Sequence, residues 1–145
     1  MDDIKEQIVN YLSKRKFLTL ATSSKDGEPL THPIAYVNKE EIVYFSTGTQ
    51  TRKYKNIIKN PNVAYSIYDP TEHLDEVISV QMQGKASSLT NKKEINEINK
   101  MLKQKFPHMS HLIKEPDSVI IKISPKSCYF MDYSKGFGYR DNIEY

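Results

Sequence analysis

A dense set of anion-binding groups falls between Ser46 and Lys53. Ser46, Thr47, Thr49 and Thr51 offer hydroxyl donors, and Gly48 permits tight backbone geometry among them. Thr51 is a good N-cap for a helix whose unpaired amides and positive dipole end attract an anion. Arg52 and Lys53 then fall on that helix's first turn. Cations there oppose the macrodipole, so their placement makes more sense with a dianion bound between them than without one. This is the chemistry of a phosphate seat. An exposed Ser/Thr loop leading into a short solvated helix is the alternative reading of the same residues.

Other residues capable of chemistry are few. His108 and His111 have i, i+3 spacing, but no carboxylate or cysteine stands beside them and Pro107 precedes them, so they read as loop rather than as metal ligands. Cys128 is the single cysteine. It excludes an intramolecular disulfide and a cysteine-rich zinc site, and its apolar, aromatic surroundings make it a packing residue rather than a nucleophile. Tyr36, Tyr44, Tyr65 and Tyr68, among ten tyrosines, lie on strand-like runs where half-buried tyrosine is favoured. Lys14, Arg15 and Lys16 read as a solvated helix end.

The elements that must hold the seat follow from periodicity. Ile4, Ile8 and Leu12 behind Asp2 or Asp3 make the first fifteen residues an amphipathic helix. FLTLATS (Phe17 to Ser23), the turn Lys25-Asp26-Gly27 and LTHPIAYV (Leu30 to Val37) form a hairpin signature. IVYFS from Ile42 to Ser46 adds a third strand, so an antiparallel meander delivers the chain to the seat. Asn60-Pro61-Asn62 stops the helix that begins after Thr51, and VAYSIYD from Val63 is a fourth strand. VISVQMQGKA from Val77 is a fifth. Asn91 and Glu94 offer a capping box for a helix with the stripe Ile95, Ile98, Leu102 and Phe106, ended by Pro107. SVIIKIS and SCYFMDY supply one or two closing strands. Six to seven antiparallel strands with flanking helices predict a mainly β domain, and a barrel rather than an open sandwich, because closure removes exposed edges.

A chain of 145 residues is expected to be one domain. Its net charge of +3 permits anionic small molecules and demands neither nucleic acid nor membrane. Glu40, Glu41, Asp69, Glu72, Asp75 and Glu76 interrupt the basic residues, which makes a nucleic-acid-binding barrel the weakest functional class. The acidic N-terminus and the lack of an apolar run near ~20 residues predict a cytoplasmic protein.

FLTLAT, DGEPLTHPIAYV and IVYFSTGTQTRKYKNIIKNPNVA, in this order and spacing, resemble the pyridoxamine 5′-phosphate oxidase-like flavoproteins, and among them the short general-stress-protein branch. The resemblance implies an FMN-binding split β-barrel, a homodimer with the flavin at the subunit interface. It implies that Arg52 and Lys53 grip the FMN phosphate, with Ser46, Thr47 and Thr51 around it. His32, Pro33, Ile34, Ala35, Tyr36 and Val37 would line the isoalloxazine, and the fifth strand would add Ser79, Gln81 or Gln83. His32 stands where the oxidase has an arginine, either as a structural histidine or as a donor to the flavin's pyrimidine edge. The oxidase's basic C-terminal segment is not recognisable in SPKSCYFMDYSKGFGYRDNIEY, where Arg140 is the one arginine. Oxidation of pyridoxamine phosphate is therefore not expected, and the tail from Tyr133 to Arg140 is a candidate to shape a partner's flavin pocket. The expected function is an FMN-dependent oxidoreductase using a nicotinamide donor or oxygen on a small molecule. The rival is a non-catalytic flavin- or haem-binding or stress-protection module.

Overall fold

The computed structural model describes residues 3–109 and 117–145, so Asp2 and His111 lie outside the described residues. Three helices, α1 (Ile4–Lys14), α2 (Arg52–Lys59) and α3 (Lys92–Lys105), accompany eight strands. The strands are β1 (Phe17–Ser23), β2 (Pro29–Ala35), β3 (Val37–Lys39), β4 (Ile42–Gly48), β5 (Asn62–Tyr68), β6 (Ile78–Ser88), β7 (Ser118–Asp132) and β8 (Arg140–Glu144). The sheet runs β2-β1-β5-β6-β7-β4-β3, all neighbours antiparallel, with β8 added to β7. Its two outermost strands, β2 and β3, are consecutive in the chain and separated by Tyr36 alone. The mainly β barrel expected from the strand pattern and the split barrel implied by the resemblance are therefore present, with β8 an added strand that the expected six to seven did not include.

Tyr36 explains why LTHPIAYV is two strands rather than one. Its ring is fully buried, its hydroxyl donates to the Leu12 carbonyl and its amide donates to Lys16 O at 3.2 Å. Both bonds tie the corner to the end of α1. The N-cap of α1 is Asp3, whose carboxylate accepts from Lys5 N at 3.0 Å. From that start, Ile8, Tyr11 and Leu12 turn inward and stopper the barrel. Ile8 and Leu12 are 0% exposed, and burying such side chains contributes roughly 1.5–3 kcal/mol each.

A second apolar layer lies outside the sheet. Val43 and Phe45 of β4 point into the barrel, while the alternate residue Tyr44 packs beneath α3 with Val37, Ile98, Leu102, Phe106 and Ile120. β4 is covered on both faces, which is why IVYF reads as an unbroken apolar run instead of an alternating one. The Asn91 side chain caps α3 by accepting from Glu94 N at 3.0 Å.

The two closing runs form the single 15-residue strand β7, despite Pro125 inside it. Along one edge, β7 pairs with β4 through Ser118–Ile123 and with β8 through Ser127–Met131. Pro125 falls between these partners, where the missing N–H leaves no ladder bond open on that edge. On the other edge the register shifts at Gln83/Gly84. A Cβ on Gly84 would lie 2.5 Å from Ser124 O and 2.9 Å from Ile123 Cγ2. Backbone cannot yield cheaply at that distance, so Gly84→Ala is expected to cost ~1–3 kcal/mol, measured as a lowered urea midpoint with unchanged slope.

Candidate functional site

The seat is built at the junction of β4 and α2. Thr51 is the N-cap of α2, its hydroxyl accepting from Tyr54 N at 3.3 Å and donating to Gly48 O at 3.0 Å. The Thr47 hydroxyl lies 3.1 Å from that of Thr51, and Thr49 N donates to Asp117 O at 3.0 Å. These bonds hold the loop in a tight arc that presents the α2 N-terminus toward β2. Thr47 itself is buried.

Two cavities meet around Lys53. The larger, about 240 Å³, is lined by His32, Pro33, Ile34 and Ala35 of β2, Ser46, Thr47 and Gly48 of β4, Lys53, Ser118, and an apolar wall of Leu102, Phe106 and Met109. The smaller, about 230 Å³, is lined by Leu30, Thr31, His32, Thr51, Arg52 and Lys53. The β1–β2 hairpin and the β4–α2 arc, distant in sequence, are thus brought face to face. Hydroxyls and cations collect at one end and apolar side chains at the other, an arrangement suited to an anionic group carrying a flat apolar body.

The electrostatics point the same way. Burial pushes the Lys53 pKa below its ordinary value, and burial followed by the charge of Lys53 does the same to His32. Among the described residues, no carboxylate lines either cavity. Among the described residues the ion pairs are Arg15–Asp69 and Lys39–Glu97, and neither involves Arg52 or Lys53. A partly desolvated lysine without a counter-charge is held in a state that a bound anion would relieve.

Of the residues singled out in the sequence, Arg52, Lys53, Thr51, Ser46, Thr47, His32, Pro33, Ile34 and Ala35 surround these two cavities. Tyr36, Val37, Ser79, Gln81 and Gln83 lie elsewhere in the chain's own fold, Tyr36 fully buried in the barrel core. Val37 is buried beneath α3, because the corner at Tyr36 ends β2 at the cleft and turns the chain into β3. Ser79 and Gln83 share the outward side of β6 with Gln81, since Val80, Met82 and Gly84 alternate inward. Ser79 is 4% exposed, and Gln83 lies beside Ala64 of β5. The register of β6, open from the sequence, thus places Ser79, Gln81 and Gln83 on one face.

The apolar wall was not singled out as part of a site. Leu102 and Phe106 belong to the α3 stripe, and a helix stripe carries no mark distinguishing core from cleft wall. The tail is not a free arm: Arg140–Glu144 is β8, paired to the chain's own β7, and Tyr145 N donates to Lys126 O at 3.0 Å.

Comparisons agree with this architecture. A family model described as "Pyridoxamine 5'-phosphate oxidase" matches residues 4–132. General stress protein 26 of Bacillus subtilis is 27% identical over 130 residues, covering 90% of this chain and 89% of that protein. Among solved structures, a heme binding protein from Mycobacterium smegmatis superposes with a TM-score of 0.79 at 14% identity over 97% of this chain. The chain spans only 56% of that protein's length. HutZ, the heme storage protein from Vibrio cholerae, superposes with a TM-score of 0.74 at 18% identity, covering 86% of this chain and 92% of HutZ. With a family match that spans most of its length and a barrel of the same fold, this chain belongs to the pyridoxamine 5′-phosphate oxidase family.

Proposed function

We propose that this protein is an FMN-binding flavoprotein that works as a homodimer and catalyses oxidation or reduction of a small molecule. The observation that carries the reading is the partly desolvated Lys53, without a carboxylate partner, beside the hydroxyl arc of Ser46, Thr47 and Thr51. That donor set fits a phosphate dianion, and the neighbouring β2 backbone and the Leu102, Phe106 and Met109 wall fit an aromatic ring system. Arg52 and Lys53 hold the phosphate, His32 stands where phosphate and ring meet, and Pro33 to Ala35 flank the ring. FMN, when bound, supplies the capacity to take up and release electrons with protons.

The two adjoining cavities, about 240 and 230 Å³, open at the surface of the single chain, where a second copy could add wall to the cleft. The middle of the outward surface of β1, β5, β6 and the adjoining half of β7 presents the uncharged Thr19, Ala21, Ala64, Ser66, Gln81, Gln83 and Ser127, with Lys85 and Lys126 at its margin and Arg140 stacked on Tyr129. In a chain with 27% charged residues a face with such an uncharged middle suits contact with another subunit. Dimerisation through it would give Gln81 and Gln83 a route to the partner's cleft.

The similarity to heme-binding structures favours a second reading, in which the same cations meet haem propionates and the protein stores a cofactor without turnover. The two readings part on kinetics. With FMN loaded, anaerobic mixing with NADH or NADPH is expected to bleach the flavin bands within seconds. Flavin that stays oxidised with both donors and, once photoreduced, returns electrons to oxygen no faster than free FMN does would leave the non-catalytic module as the function.

A further inference from the structure

His32 and Lys53 come from different elements, β2 and α2, yet both line both cavities of the cleft. The ionisable groups facing His32 are Lys53 and Arg52 of α2. From the other sides β4 contributes Ser46 and Thr47, and α3 contributes Leu102 and Phe106, none of which carries charge near neutral pH. Among the described residues, the imidazole thus meets cations on one side and no anion on any.

We infer that His32 is a third cation of the seat that the ligand itself creates: as a dianion settles beside Lys53, the imidazole takes up one proton from solvent. This deepens the proposed function and rests on its anion seat. The step moves a proton only. A lone pair on an imidazole nitrogen forms the new N–H bond as the bond to the proton in hydronium or a buffer acid breaks, the side chain gains one positive charge and the donor loses one. Before binding, burial and the Lys53 charge keep the imidazole below its ordinary pKa, so it is neutral at pH 7. A dianion cancels the Lys53 field and adds an attractive one, and an opposite charge within ~4–6 Å shifts a pKa by about one unit or more. Affinity then rises as pH falls between the bound-state and free-state pKa values, and it is flat outside that window. A one-unit shift corresponds to an about tenfold gain across it.

Sulfate is the suitable probe, since it stays a dianion from pH ~5 to ~8 and contributes no titration of its own. Imidazole proton resonances would be followed by NMR across this range with and without sulfate, His32→Gln identifying the signal of His32 and amide shifts from Thr47 to Lys53 reporting occupancy. The expected result is that those amides shift and the His32 midpoint rises by about one unit. Lys53→Met should raise the sulfate-free midpoint toward the ordinary histidine value. Amide shifts with an unmoved His32 midpoint would overturn the inference and leave the seat standing. Absence of amide shifts at every pH would overturn the seat and the inference together.

Discussion

Replacing Arg52 and Lys53 together by Gln and Met is expected to abolish tight FMN binding while leaving the fold intact or slightly more stable. Each charge-assisted contact to a phosphate contributes ~1.5–3 kcal/mol, so losing two weakens binding by about two to four orders of magnitude. The stability side has the opposite sign. Both cations stand on the first turn of α2, with no acidic residue there to offset them. Removing them relieves a repulsion with the helix dipole of roughly 0.3–1 kcal/mol each, less what exposure screens. Isothermal titration with FMN and a thermal melt of the apo protein therefore move in opposite directions. A variant that loses both binding and stability would show that the pair props up the loop instead of gripping a ligand.

The second large effect is expected at the uncharged middle of the outward sheet face. Ala64 lies on β5 directly between Ala21 of β1 and Gln83 of β6, within the surface proposed to meet a second copy. An arginine at Ala64 can extend into solvent in the single chain, but in a dimer it would be buried against the same residue region of its partner without a counter-ion. The penalty for an unpaired buried charge is several kcal/mol, enough to split a standard interface. Ala64→Arg should therefore give a folded monomer by sedimentation and, because part of the cleft wall is lost, weaken FMN binding by at least about tenfold. A variant that stays dimeric would move the interface to another face. A monomer that still binds FMN as tightly as the parent would show that one chain builds the whole cleft.

These expectations join residues that differ in how openly the sequence announces them. Thr51, Arg52 and Lys53 were legible because a cap and two cations are local features, and local chemistry determined the helix start at the place predicted. The hairpin at Gly27 was equally open, since its positive φ of 87° requires what glycine supplies. The corner at Tyr36 was not. Nothing in PIAYVNK signals a break, which arises from bonds to Leu12 and Lys16 some twenty residues away. The same holds for β7, where the two closing runs left one strand or two open and the neighbours β4 and β8 leave a gap that tolerates Pro125 between them. It also holds for β8, whose sequence RDNIE has strand form only because the edge of β7 is open beyond Ser127. Leu102 and Phe106 were correctly placed on an amphipathic stripe, yet their second role as cleft wall depends on where α3 docks. Sequence periodicity gives each element its buried side, and tertiary placement decides what that side faces.

FMN binding is tested most directly by the visible absorption spectrum of the purified protein, followed by identification of the molecule released on heating. Two flavin bands and FMN in the supernatant are expected, or their appearance when FMN is added to colourless protein. A colourless protein that takes up no FMN would contradict it, and a Soret band with haem released on denaturation would move the storage reading into its place.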